Sequence, residues 1–274
     1  PDYAMPWFNR GQQILLSGMA AGHAVNIKRF PSLTNLLMTE GDISLTDIRI
    51  PEPATMEDLL QVHTAEYISE VFSLAEEGGL LNGENKINQG LLNFYLASVG
   101  GTYETGIAAL ENGTAINLAG GYHHAFPHKE EGFCFFNDVA IAANKLVSEG
   151  LVNKILIIDL DVHHGNGTAS IFENNPNIKT FDFFQSGVYP VKGRKPYETD
   201  FSYSFHEGIE GYTYLRYLDD SLEEAFEEFN PDIVFYLAGA DPFYDDLLGG
   251  AELSKDALRE RDLLVVNAAR QKDK

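Results

Sequence analysis

The chain has 274 residues, 44% of them hydrophobic, with one cysteine, so it can bury one large α/β core and forms no internal disulfide. With 41 acidic against 19 basic residues the net charge is −22, a field that repels nucleic acid and anionic membranes. The same field favours basic substrates such as lysine-rich peptides or acylated polyamines, or serves solubility alone.

Taken in chain order, residues 14–27 are moderately apolar, hold Ser17, His23 and Asn26, and are too short to span a bilayer, so a loop or short helix is expected. Residues 76–93 are rich in Gly and Asn and read as a surface loop beside the mouth of a site. The short apolar segment 115–118 reads as a strand leading into Gly120-Gly121-Tyr122-His123-His124-Ala125. Adjacent histidines at a strand end suit proton transfer, because one imidazole can take a proton from water while its neighbour, kept cationic, donates to a leaving group. A His-His pair alone is more often structural, and the preceding glycines, which let backbone approach a ligand, shift that balance. Gly132-Phe133-Cys134-Phe135-Phe136-Asn137-Asp138 follows, and 138–149 reads as a helix.

The apolar run 154–158 leads into Asp159-Leu160-Asp161-Val162-His163-His164-Gly165-Asn166-Gly167. If 154–161 is a buried parallel strand, Asp159, Asp161 and His163 project on one face at its C-terminal end, where open α/β sheets carry their sites. Carboxylate and imidazole donors match zinc or another borderline divalent ion better than calcium or magnesium, although an isolated Asp-x-His serves as well to cap a helix. Residues 187–199, with Tyr189, Pro190, Lys192, Arg194 and Lys195, read as a second rim loop whose charges are solvated or steer an acidic substrate. A helix over 214–229 carries Glu223, Glu224, Glu227 and Glu228 on a solvated face. The β-branched and aromatic run 232–237 reads as another buried strand, ending in Ala238-Gly239-Ala240-Asp241-Pro242. Asp241 completes a two-Asp, one-His set with Asp161 and His163, leaving a position open for water, as expected of a catalytic zinc. A last helix spans 252–270. Strands alternating with helices predict one α/β domain over 1–274, a mainly parallel central sheet flanked by helices.

Gly-Gly-Tyr-His-His-Ala, Gly-Phe-Cys-Phe-Phe-Asn-Asp, Asp-Leu-Asp-Val-His-His-Gly-Asn-Gly and Ala-Gly-Ala-Asp, in this order, resemble the zinc-dependent histone deacetylase family from about His23 to the end. Residues 98–102, 117–121 and 246–250, together with Asn166 where class I enzymes carry Asp, resemble the class IV (deacetylase 11-like) branch and its bacterial relatives. The resemblance implies the arginase/deacetylase fold and metal-assisted amide hydrolysis of an acylated lysine peptide or small acylated amine. It makes Asp161, His163 and Asp241 the zinc ligands and His123 and His124 the catalytic pair, with Asp159 orienting His123 and Asn166 contacting His124. It also implies a structural monovalent cation, K+, near Asp159, and an acyl-lysine channel walled by Gly132, Phe133 and Tyr189. Cys134 is then a buried or near-site thiol rather than a nucleophile.

The family pattern continues with a further strand ending in Gly-Gly-Tyr, whose tyrosine stabilises the oxyanion and which lies in the sheet beside the Ala-Gly-Ala-Asp strand. The chain stops at Lys274, before it, and begins at Pro1, so the natural protein is expected to be longer at the C-terminus. One oxyanion donor is typically worth about a hundred- to thousandfold in turnover. A catalytically impaired acyl-lysine-binding protein is therefore the alternative reading, and an arginase-like hydrolase, which needs two metals, a more distant one. With no signal peptide visible, no membrane span and a lone cysteine, the expected compartment is a reducing cytoplasm.

Overall fold

The computed structural model describes residues 29–81, 85–190 and 199–271. The expectations for 14–27, including His23, and for Lys192, Arg194 and Lys195 lie outside those residues. The chain divides into two compact units, residues 1–142 and 143–274, each described by itself.

The first unit is helical. Helix α1 spans Arg29–Glu40, a 3-10 turn Leu45–Asp47, α2 Met56–Leu59 and α3 Ala65–Glu77. A short hairpin of β1 (Leu80–Leu81) and β2 (Asn85–Lys86) leads to α4, Gln89–Asn112, and α5 begins at Asp138 and runs to Ser148. Thr64 and Asn88 start α3 and α4 by accepting the backbone N–H of Tyr67 and Leu91, satisfying donors that a helix start leaves open. The core gathers Tyr67, Ile68, Val71, Leu91, Leu92, Tyr95, Phe135 and Phe136.

Two expectations fail here. Residues 76–93 are not a surface loop: α3 ends, a hairpin turns and α4 begins within them, because Leu81, Ile87, Leu91 and Leu92 are buried anchors among the Gly and Asn residues. Residues 115–118 form no strand. Their continuation takes its bonds from side chains instead of a ladder, Ala119 N–H donating to Asn117 Oδ1 and the N–H groups of Gly121 and Tyr122 to the Asp138 carboxylate.

The second unit is built on a four-stranded sheet of β3 (Ile155–Asp159), β4 (Ile178–Gln185), β5 (Phe201–Phe205) and β6 (Ile233–Leu237). The order is β5-β4-β3-β6 and every neighbouring pair is parallel. Helices α6 (Asn166–Phe172), α7 (Gly211–Phe229) and α8 (Lys255–Gln271) connect and flank the strands, α7 packing on β4 and on α8, and α8 on β6. Helix α7 buries Leu218, Leu222, Ala225, Phe226 and Phe229 at helical spacing and exposes Glu223, Glu224, Glu227 and Glu228, the solvated acidic face expected. All five residues of β3 are buried, as a central parallel strand requires. Strand β6 is an edge of this sheet among the described residues.

Strand β3 stops at Asp159 rather than running to Asp161. Beyond it the chain folds on its own carboxylates: Asp161 N–H donates to Asp159 Oδ1, and His163 N–H to Asp161 Oδ1. The alternation of a pleated strand therefore does not set the faces of Asp161 and His163; consecutive Asx-type turns do. No helix among the described residues is long and apolar enough to cross a membrane.

Candidate functional site

The turn after β3 and the turn after β6 bring Asp161, His163 and Asp241 together, with one donor atom from each within 4.8 Å of the others. His163 Nδ1 lies 2.9 Å from Asp161 Oδ1 and 3.0 Å from Asp241 Oδ2. Bonds of roughly 2.0–2.2 Å at tetrahedral angles separate donors by about 3.3–3.6 Å, so the set needs to open only slightly to hold a small divalent ion. Burial works against a charged His163, but its hydrogen bonds to Asp161 and Asp241 outweigh that and push its pKa up to about 9. Burial, and then the neighbouring Asp161 against the opposing pull of His163, pushes Asp241 up to about 6. This concentration of negative potential on one partly buried imidazole suits a cation. The two turns are in close contact: a Cβ on Gly239 would stand 2.6 Å from Asp161 Cα, which only glycine avoids. Val162 N–H donates to Asp241 Oδ1, tying the turn after β3 to the turn after β6.

On adjacent strands, Asp159 at the end of β3 stands in register with Asp182 of β4. Asp182 Oδ2 accepts from Gly165 N–H and lies 2.9 Å from His164 Nδ1, while its buried Oδ1 has no hydrogen-bond partner among the described residues. Burial is the main cause that pushes Asp182 up to about 6, with Asp159 adding to it. A buried, underbonded carboxylate oxygen beside a second Asp fits the monovalent cation expected near Asp159. Asn166 opens α6, buried, its Oδ1 accepting from Gly167 N–H. Tyr189 is half-buried with its ring edge-on to His163, centroids 6.4 Å apart.

In the first unit, His123 and His124 are both buried with ring centroids 4.0 Å apart. Their turn is held from both sides. Before it, the Asp138 carboxylate accepts from Gly121 N–H, Tyr122 N–H and Thr102 Oγ1–H; after it, Asn137 Nδ2 donates to the Ala125 carbonyl. Gly132 has φ +55, and a Cβ there would meet His124 Cδ2 at 2.2 Å. Phe133 follows, also left-handed at φ 66, a conformation costing on the order of 1–3 kcal/mol in a non-glycine residue. The Tyr95 hydroxyl, donating to the Phe133 carbonyl at 2.6 Å, fixes it there with the ring 43% exposed. The pairs expected to join Asp159 to His123 and Asn166 to His124 each take one residue from either unit.

A sequence model of the histone deacetylase domain matches residues 23–274. The chain belongs to the histone deacetylase domain family. Among proteins similar to this deacetylase-family chain, an uncharacterized protein of Picosynechococcus is 35% identical over 97% of this chain and 84% of its own length. The histone deacetylase-like amidohydrolase of Pseudomonas aeruginosa is 29% identical over 91% of this chain and 69% of its own. Of solved structures, an HDAC homolog from Aquifex aeolicus matches with a TM-score of 0.78 at 26% identity, covering 86% of this chain and 69% of that one. An HDAC homolog complexed with SAHA matches at 0.77 and 27%, with the same coverage.

Two supports of the deacetylase-family histidine turn carry no signal in single-sequence reading. The first is Asp138, which in the sequence is marked only as the start of the helix over 138–149. The second is His63, buried, its Nδ1 3.0 Å from the Phe126 carbonyl and its Nε2 accepting Asn137 N–H. Accepting at Nε2 requires the neutral ring with its proton on Nδ1, and burial accordingly pushes the pKa down to about 4 from 6.5, against the Phe126 bond. The unfolded chain therefore takes up a proton below about pH 6.5 that the folded chain refuses until about pH 4. The stability this withholding represents is complete above pH 6.5 and is lost as pH falls through that window, about 2 kcal/mol of it between pH 7 and pH 5. Urea unfolding at the two pH values, in the parent and in His63→Gln, measures it: the parent should lose about 2 kcal/mol more than the variant. Equal losses would contradict a neutral, buried His63.

Proposed function

We propose that the chain is a zinc-dependent amidohydrolase that removes acetyl or longer acyl groups from lysine side chains or a related small amine, within the class IV branch. The observation that carries this reading is the meeting of Asp161, His163 and Asp241 within one small volume, two carboxylates and one imidazole, a three-ligand set of the kind that in catalytic zinc sites leaves a fourth position for water. When bound, zinc supplies Lewis acidity to the acyl carbonyl and to the attacking water. His123 takes the water proton at its ring nitrogen and His124, cationic, delivers a proton to the departing amine; a C–O bond forms, the amide C–N bond breaks, and a carboxylate and a free amine leave. Asp159 orients His123 and Asn166 contacts His124, fixing which nitrogen of each ring carries the proton. Asp159 and Asp182 would hold the monovalent cation, K+, whose charge would offset that of the two carboxylates.

Phe133, Gly132 and Tyr189 wall the channel, the exposed Phe133 ring and the Tyr189 ring beside His163 presenting flat apolar surface to an alkyl stem. The −22 net charge draws cationic peptides or amines toward it. A reducing cytoplasm suits the lone thiol, Cys134.

Hydrolysis of an acetyl-lysine peptide and of a longer-chain acyl-lysine peptide, by the chain reconstituted with zinc and with or without chelator, tests this proposal. Chelator-sensitive release of free lysine is the expected result. A folded, zinc-loaded chain that turns over neither peptide would replace hydrolysis with acyl-lysine binding alone.

A further inference from the structure

Helix α8 turns one stripe, Ala257, Arg261 and Val265, inward at i, i+4 spacing, so an arginine occupies the middle of an apolar face. Arg261 is 2% exposed. A buried guanidinium costs several kcal/mol of desolvation that a leucine or methionine of similar volume would not. Its contacts show where that cost is offset. Nη1 donates to the Gly239 carbonyl at 2.6 Å and makes a longer 3.4 Å approach to the Leu160 carbonyl. Nε and Nη2 clasp Asp262 Oδ1 at 2.9 and 2.7 Å, and the Tyr236 hydroxyl donates to that same oxygen at 2.6 Å.

The two carbonyls sit at telling places. Leu160 directly precedes Asp161, and Gly239 lies two residues before Asp241. One nitrogen thus bridges the main chain of the turn after β3 and the turn after β6, just where Gly239 and Asp161 come too close for a Cβ. Tyr236, on β6, and Asp262, on α8, hold the guanidinium plane so that Nη1 faces both turns.

We propose that Arg261 is a positioning residue for the metal centre, clamping the Asp161 and Asp241 turns at the separation that lets their carboxylates and His163 bind one ion, with Asp262 and Tyr236 aiming it. The proposal rests on the metal reading of Asp161, His163 and Asp241. Lysine cannot replace it: a single ammonium lacks the planar fork that reaches a carbonyl on one side while clasping a carboxylate on the other. Residues that orient metal-binding groups typically contribute about 10- to 100-fold in metal affinity.

Zinc affinity by competition with a chromophoric chelator, together with the visible absorption of the cobalt-loaded protein, should be measured for the parent and Arg261→Lys, with circular dichroism to establish folding. Arg261→Lys should bind zinc about 10- to 100-fold more weakly and shift or weaken the cobalt bands while retaining the parent's far-UV spectrum. Zinc binding within twofold of the parent, with an unchanged cobalt spectrum, overturns the proposal. Should Arg261→Lys not fold, Asp262→Ala, at a half-exposed side chain, and Tyr236→Phe release the aim of the guanidinium instead. Parent-like affinity and cobalt bands in both would overturn it equally. A parent chain that binds no stoichiometric zinc sinks the metal reading itself, an outcome distinct from a parent and an Arg261→Lys that bind alike.

Discussion

Asp241→Ala and His163→Ala should each be purified nearly free of zinc and inactive toward acyl-lysine peptides, whereas His124→Ala should retain zinc and lose turnover. Asp161, His163 and Asp241 are the three groups that could hold the ion, so deleting one would leave two, and an ion held at two points exchanges with solvent. The remaining partners also change: without Asp241, His163 Nδ1 loses one of its two carboxylates and Val162 N–H loses its acceptor. In the proposed mechanism His124 is no ligand but a proton-transfer group, and such a group is worth about a hundred- to ten-thousandfold in rate. Zinc content by elemental analysis beside kcat on one peptide separates the cases. Parental zinc in Asp241→Ala would show that the ligands are assigned wrongly.

The second large effect is structural. Asp138 is fully buried and its carboxylate receives three donors, Thr102 Oγ1–H, Gly121 N–H and Tyr122 N–H. Burial pushes its pKa up, while these bonds favour the ionised form. Removing the carboxylate leaves the buried Tyr122 N–H without its acceptor at about 1–3 kcal/mol, takes the acceptor of the more exposed Gly121 N–H and leaves Thr102 Oγ1–H only the Ser98 carbonyl at 3.2 Å, on the order of 2–5 kcal/mol together. Domains of this kind have only about 5–15 kcal/mol in total, so Asp138→Ala should lose a large share of its stability and part of its soluble yield. Asp138→Asn, which keeps the shape and one acceptor oxygen, should lose less. Urea unfolding of the three proteins gives the comparison, and a loss below about 1 kcal/mol in Asp138→Ala would refute the account of the histidine turn.

What could be read in advance divides along a physical line. Asp161, His163 and Asp241 announce themselves because metal chemistry restricts the residue types, and the apolar runs before them locate strands β3 and β6 within a residue or two. The route was misjudged: pleat alternation was expected to align Asp161 with His163, and Asx-type turns do so. Residues 76–93 and 115–118 were misread because composition is local, whereas their state is decided by burial of Leu81 and Leu91 and by a carboxylate at Asp138 well along the chain. Arg261 and His63 carry no local mark at all. Arg261 reaches carbonyls 22 and 101 residues back, and His63 reaches Asn137 across 74, distances at which only the folded chain defines neighbours.

The left-handed turn at Gly132 and Phe133 separates two demands that usually compete. Its shape is kept by the Tyr95 hydroxyl on the Phe133 carbonyl, a bond to main chain that any side chain tolerating a left-handed φ at position 133 would keep. A protein so arranged can exchange that side chain over evolutionary time, widening or narrowing what passes by it, with its interior left as it was.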